Sequence, residues 1–201
     1  MANAWDKFFK EKMIKIFSEK ETIMDIGGGL RVGTKTNRRE RKNDWLNEYL
    51  VKKNYKVLDK VTDFNPDIVG DIQALPMPDN SVDAVICIAV LEHVEEPQRA
   101  MKEIWRVLKP GGYCFLYVPF LYYYHPCQGY YQDFYRFTID GVKYLTRDFR
   151  SVESQSVRGA VATLANLVPI FSKRPFFSWL DKVFGKSASR QTSGYYIFCV
   201  K

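Results

Sequence analysis

Apolar and polar positions follow two rhythms along this chain, one of helical period and one of short continuous runs. Over residues 3–18, Trp5, Phe8, Phe9, Met13, Ile16 and Phe17 recur at helical spacing and predict an amphipathic helix. Short apolar runs at 23–26, 55–59, 68–72, 82–91, 113–118 and 195–200 read as strands. The run at 82–91 is almost wholly apolar, as suits a parallel strand covered on both faces. Between strands, Trp45, Leu46, Tyr49 and Leu50 form the apolar face of a second helix. Pro97 opens a third, whose face carries Ala100, Met101, Ile104, Trp105 and Leu108, and Lys109-Pro110-Gly111-Gly112 stops it. Residues 141–149 read as helical too. Strand, helix and strand in alternation predict a doubly wound, mostly parallel α/β sheet.

With 201 residues, a single domain is expected. Its parts are an N-terminal helix (1–20), a core (22–118), an aromatic lid (119–149) and a C-terminal part with strands and a basic amphipathic segment (150–201). Aromatics make up 15% of the chain, and nine of them crowd into 120–137 with His125, Asp133 and Arg136. That segment leaves the carboxyl end of a central strand, so it is expected to cover a ligand crevice. The four cysteines form no Cys-x-x-Cys pair and three lie in apolar runs, which points to reduced, buried thiols. No metal-ligand set is read from the sequence.

A net charge of +7 favours anionic partners. Its densest run is Arg31, Lys35, Arg38, Arg39, Arg41 and Lys42, which reads as a solvated face, with phosphate binding the lesser reading. The N-terminus lacks a signal-peptide pattern, and the longest apolar stretch, 161–170, is broken by Asn166 and Pro169, so a cytoplasmic location is expected. Phe171, Phe176, Phe177, Trp179, Leu180, Val183 and Phe184, among basic residues, form an amphipathic element. It either covers the sheet or docks peripherally on a membrane.

Asp25-Ile26-Gly27-Gly28-Gly29 ends the first strand in an acid and three glycines, a turn on which a ligand can rest. An aspartate ends the second strand (Asp59) and another the third (Asp71). Asp59 stands at a βαβ distance from the glycines, where an acid either accepts from a ribose diol or caps a turn. Five motifs then occur in order: Asp25–Gly29, Gly70-Asp71-Ile72-Gln73-Ala74-Leu75-Pro76, Asp79-Asn80-Ser81-Val82-Asp83, Val90-Leu91-Glu92-His93-Val94 and Arg106-Val107-Leu108-Lys109-Pro110-Gly111-Gly112. In that order and spacing they resemble the class I S-adenosylmethionine-dependent methyltransferases of the methyltransferase-11 group, over roughly residues 22–118. The resemblance implies a Rossmann-like, seven-stranded methyltransferase fold with S-adenosylmethionine as cofactor. It places Asp25, Gly27, Gly28 and Gly29 on the methionine portion, Asp59 on the ribose, Asp71 and Ile72 on the adenine, and the backbone of Ala89 and Val90 beside the cofactor. Arg31 departs from the small residue usual there. Tyr135-Arg136-Phe137-Thr138-Ile139-Asp140-Gly141, after His125-Pro126, is similar to methyltransferases encoded with polysaccharide and surface-glycan genes.

Methyl transfer to a hydroxyl gains from a base titrating near working pH, and His93 and His125, the two histidines, both follow strands at the predicted ligand edge. For His93 the plainer role is a hydrogen bond at the strand–helix junction. Arg136 either pairs with a charge on the acceptor or bridges to Asp133 or Asp140. The expected activity is methyl transfer to a hydroxyl of a small-molecule or glycan acceptor. The alternatives are an RNA methyltransferase, a quinone or lipid methyltransferase, and a cofactor-binding protein without catalysis. The dinucleotide fingerprint fails, since Val32 or Leu30 stands where a glycine is needed. Nucleic acid is disfavoured, because no RNA-binding module and no Asn/Asp-Pro-Pro-aromatic motif is present.

Overall fold

Seven strands hydrogen-bond into one sheet. They are β1 (Thr22–Ile26), β2 (Asn54–Asp59), β3 (Ile68–Val69), β4 (Val82–Ile88), β5 (Leu108–Pro119), β6 (Ser151–Val157) and β7 (Gly194–Val200). Their order is β3-β2-β1-β4-β5-β7-β6. The first five run parallel, and β7 lies antiparallel between β5 and β6. The computed structural model describes residues 3–30, 32, 41–167, 176–186 and 189–201. Arg31, Lys35, Arg38 and Arg39 of the basic run, with Phe171, Lys173 and Arg174 of the tail, lie outside the described residues.

Alternation along the central strands sends side chains to two cores. Met24, Ile26, Val85, Cys87, Leu116 and Ile197 face one side. There helix α3 (Pro97–Val107) packs Ala100, Met101, Ile104 and Val107, and α4 (Ile139–Leu145) adds Val142 and Leu145. Ile23, Ala84, Ile86, Phe115 and Phe198 face the other side, beneath α1 (Ala4–Glu19) and its Met13, Ile16 and Phe17. Burial on both faces explains why these strands are nearly unbroken apolar runs. Residues 41–46 form a 3₁₀ segment leading into the short α2 (Asn47–Leu50), and Leu46 closes this second core. In the C-terminal part, α5 (Ala160–Leu167) packs on α6 (Phe176–Val183). Buried Asp181 accepts from the amides of Gly159, Val161 and Ala162 at the start of α5. No described helix is long and apolar enough to cross a membrane.

Three expectations change. The strand predicted over 68–72 is only two residues long, because Gly70 and Asp71 turn away into a bridge with Ala74. Trp105 leaves the core face of α3 and is 40% exposed, its ring nitrogen donating to Asp148 O and its face under Lys201 Nζ at 3.9 Å. Lys109-Pro110-Gly111-Gly112 does not stop the helix, which ends at Val107, but bulges out of β5. Val82 pairs with Leu108 and Ala84 with Tyr113, so two steps along β4 answer five along β5.

Candidate active site

Sheet order reverses direction between β1 and β4, and there the carboxyl ends of the strands leave a crevice. A cavity of about 700 Å³ fills it, within the range that takes a drug-sized ligand. Its floor is Gly27 and Gly29 after β1, Asp59 after β2, and Ile88, Ala89 and Val90 at the end of β4. Asp71 and Ile72 close one side, and His93, His125 and lid tyrosines close the other.

The glycine turn is held from below. Asp25 is wholly buried, and its carboxylate accepts from the Gly29 and Leu30 amides, both at 3.1 Å, and from the Tyr55 hydroxyl at 2.6 Å. It does not line the cavity and accepts from the loop's own amides. Burial pushes its carboxyl up to about 6, against the three hydrogen bonds that favour the charged form. Gly27 and Gly28 have positive φ (+77° and +58°), and a Cβ on Gly27 would stand 2.5 Å from Val90 Cγ2. Gly28 is outside the cavity lining, its Cα turned toward Val57.

Asp59 and Asp71 line the cavity, and each also binds the chain just after it: Asp59 accepts from the Val61 amide at 3.0 Å and Asp71 from the Gln73 amide at 2.7 Å. Ala89, at the end of β4, has φ +55° while its amide donates to Tyr117 O. A left-handed alanine stores about 1–2 kcal/mol. Ala89→Gly is therefore expected to leave stability unchanged or raise it by up to about 1 kcal/mol in urea unfolding, against the usual loss for alanine to glycine.

The lid, 120–138, leaves β5 and folds back over the crevice. Phe134 and Tyr135 amides donate to Glu92 O, and the Tyr135 hydroxyl donates to Glu95 O at 2.8 Å. At its tip the Tyr130 hydroxyl donates to Asp63 at 2.8 Å while its ring lies 5.2 Å from Phe64. Arg136, a candidate for touching the acceptor, is drawn into this framework instead. It grips Asp133 with two nitrogens, at 2.6 and 2.7 Å, and spends its other donors on the carbonyls of Tyr122, Tyr123 and Tyr135. Burial works against Asp133's charge, yet Arg136 and the His125 amide hold its carboxyl at about 2.

The two histidines come together. Their rings meet edge to face at 5.1 Å, and His93 also lies 4.5 Å from the Tyr131 ring. His93 Nδ1 is 2.6 Å from Gln132 O and His125 Nδ1 is 3.0 Å from Tyr123 O. Two acceptors, the Tyr123 carbonyl and Asp133 Oδ2 at 3.2 Å, stand nearer His125 Nδ1 than the one donor, Arg136 Nη2 at 3.3 Å. Both Nδ1 atoms therefore carry the proton, and each Nε2 is left for the cavity. His125 Nε2 lies 3.8 Å from Glu92 Oε1, within ion-pair reach and beyond hydrogen-bond length. The Glu92 carboxylate first, then the Tyr123 carbonyl and Asp133, raise the His125 pKa against its partial burial. Neither oxygen of the fully buried Glu92 carboxylate has a hydrogen-bond partner among the described residues. Sequence reasoning quoted Glu92 in a motif without giving it a role. The available signal was a carboxylate set among Val90, Leu91 and Val94, ahead of the acidic pair Glu95 and Glu96. Tyr117, also lining the cavity with its hydroxyl pKa raised by burial, was read only as strand.

Sheet order with β7 reversed, the glycine turn at the switch point and an acid after each of the next two strands define the class I S-adenosylmethionine-dependent methyltransferase fold. Residues 25–116 match the family model described as a methyltransferase domain. The chain is 53% identical over 45 residues to a demethylmenaquinone methyltransferase of Renibacterium salmoninarum, covering 22% of this chain and 19% of that one. It is 36% identical over 97 residues to a ubiquinone/menaquinone biosynthesis C-methyltransferase of Neisseria meningitidis, covering 46% and 39%. The matches thus span less than half the length of these curated relatives. A solved S-adenosylmethionine-dependent methyltransferase from Archaeoglobus fulgidus superposes with a TM-score of 0.64 over 100% of this chain and 95% of that one, at 14% identity. That likeness establishes the fold.

Proposed function

We propose that this protein transfers the methyl group of S-adenosylmethionine to a hydroxyl of a small-molecule or glycan acceptor. One observation carries the reading: a single cavity joins the glycine turn, Asp59 and Asp71 to two imidazoles whose Nδ1 atoms are engaged by backbone carbonyls. The backbone of Gly27 and Gly29 receives the methionine portion, and Asp25 keeps that turn in shape from beneath. Gly28 supplies the positive φ between them. Asp59 accepts from the ribose hydroxyls, Asp71 from the adenine amine, and Ile72 packs on the ring. Ala89 and Val90 present backbone to the cofactor. The acceptor enters beneath the lid, 120–138, within a single domain.

The acceptor oxygen attacks the methyl carbon in line; the C–O bond forms as the C–S bond breaks, and the electron pair stays on sulfur as a thioether. The hydroxyl proton passes to an imidazole Nε2, on His125 or His93. The protein contributes position and exclusion of water beneath the lid. Tyrosine faces suit a sugar or another flat, partly apolar acceptor. The quinone-modifying relatives match only 22% and 46% of this chain, so their names do not favour a quinone here.

Asp59→Ala is expected to weaken S-adenosylmethionine binding by about 30-fold in calorimetry, the worth of charge-assisted hydrogen bonds to a diol. Failure of the unaltered protein to bind the cofactor overturns the reading. A labelled-methyl screen against glycans, lipid-linked sugars, quinone precursors and RNA then identifies the acceptor.

A further inference from the structure

We propose that Glu92, His93 and His125 bind a divalent first-row metal ion at the acceptor side of the cavity. One carboxylate oxygen and one nitrogen from each ring all lie within 4.8 Å of one another, close enough for one ion to be coordinated by all three. Two imidazoles and a carboxylate form a recurrent set for such ions, one that leaves coordination positions open.

Three features separate this cluster from an incidental grouping. The Glu92 carboxylate is entirely buried and neither oxygen is hydrogen-bonded among the described residues, a costly state that a cation relieves. Both rings are turned by Nδ1–H donation to a backbone carbonyl, of Gln132 for His93 and of Tyr123 for His125. Metal-ligating histidines are held in this way: the carbonyl fixes the tautomer and ring angle and leaves Nε2 as the ligand atom. The surrounding charges also permit it. Arg136 is the nearest cation, its Nη2 3.3 Å from His125 Nδ1, and it is neutralised by its two-point grip on Asp133. The ligands come from two elements, the 3₁₀ turn at Leu91–His93 and the lid, so an ion also ties the lid to the end of β4. A spacing of 32 residues between the histidines matches no short metal motif, and only the folded lid makes the set visible.

The ion's task rests on the methyl-transfer reading; the site itself does not. With open positions facing the cavity, the ion binds the acceptor oxygen and acidifies its hydroxyl, whose proton passes to water. With the ion bound the imidazoles serve as ligands, and the base role proposed above belongs to the metal-free protein.

The test uses the full chain, stripped with a chelator and dialysed against Zn²⁺, with Co²⁺ as a spectroscopic probe. Uptake of one equivalent is expected, with a visible Co²⁺ ligand-field spectrum and a rise in melting temperature on adding Zn²⁺. Glu92→Gln and, separately, His125→Ala are expected to lower the Zn²⁺ affinity by at least about 100-fold, more than the loss of an outer-shell partner. His125→Ala lies in the lid and leaves both cores intact, so it reports even if Glu92→Gln does not fold. Failure of the wild type to take up Zn²⁺, or unaltered affinity in His125→Ala, overturns the proposal. So does an NMR spectrum showing His125 doubly protonated beside Glu92 in excess Zn²⁺. Calorimetry with S-adenosylmethionine keeps the readings apart: cofactor binding without Zn²⁺ uptake sinks the metal site alone, and Zn²⁺ uptake without cofactor binding sinks methyl transfer alone.

Discussion

Asp25→Ala is expected to destabilise the protein by about 3–5 kcal/mol and to abolish cofactor binding, since it leaves one buried and two part-buried donors without their acceptor. Those donors are the Gly29 and Leu30 amides and the Tyr55 hydroxyl. Two of them define the shape of the glycine turn, so the loss reaches the cavity although Asp25 does not line it. Chemical unfolding and calorimetry with S-adenosylmethionine measure the two effects. The same residue gives stability a pH dependence. Its carboxyl sits at about 6 in the folded protein because burial disfavours its charge, and at about 3.9 in the unfolded chain. The folded state thus holds the proton more tightly. Its contribution is complete below about pH 4 and is lost as the pH rises through about 6, a decline of about 3 kcal/mol. Asp25→Asn carries no titrating proton, so the difference in unfolding free energy between it and the wild type should show that decline. A flat difference between pH 4 and pH 7 would refute the assignment.

Gly29→Ala is expected to cost about 2–4 kcal/mol by overpacking and to displace the turn from β4. A Cβ on Gly29 would stand 2.6 Å from Ile88 Cβ and 2.9 Å from Ile88 O. Every residue but glycine keeps a Cβ, and all keep the carbonyl, so Ile88→Ala is not expected to rescue the variant. Gly27→Ala behaves differently. Its Cβ meets Val90 Cγ2, a side-chain atom, so Val90→Ala removes the collision and leaves only the positive-φ cost of about 1–2 kcal/mol. Melting curves of the two double variants separate these cases; rescue of Gly29→Ala by Ile88→Ala would show that backbone contact is not the cause.

These predictions show where the sequence was legible. The glycines announce a turn whichever residue lies opposite them. That a Cβ on Gly29 would collide with Ile88 depends on how closely the turn after β1 approaches the end of β4. Central strands read clearly because both faces are buried, so their apolar runs are unbroken. The edge strand β6 was not singled out within the C-terminal part: SVESQSV pairs only with β7, most of its side chains meet solvent, and no apolar pattern marks it. Arg136 carries the same charge in either reading, and its partners were decided by the fold of the lid.

By itself the sequence determined the alternating α/β class, the glycine turn and the acids after the second and third strands. These depend on local periodicity and on motifs a few residues long. The meeting of Glu92 with His125, the union of the two imidazoles and the retirement of Arg136 into the lid were decided by tertiary structure alone. The first two join the end of β4 to a segment some 30 residues further on, and the third is made within the lid itself. Local propensity carries no information about which side chains a returning loop sets beside a strand end.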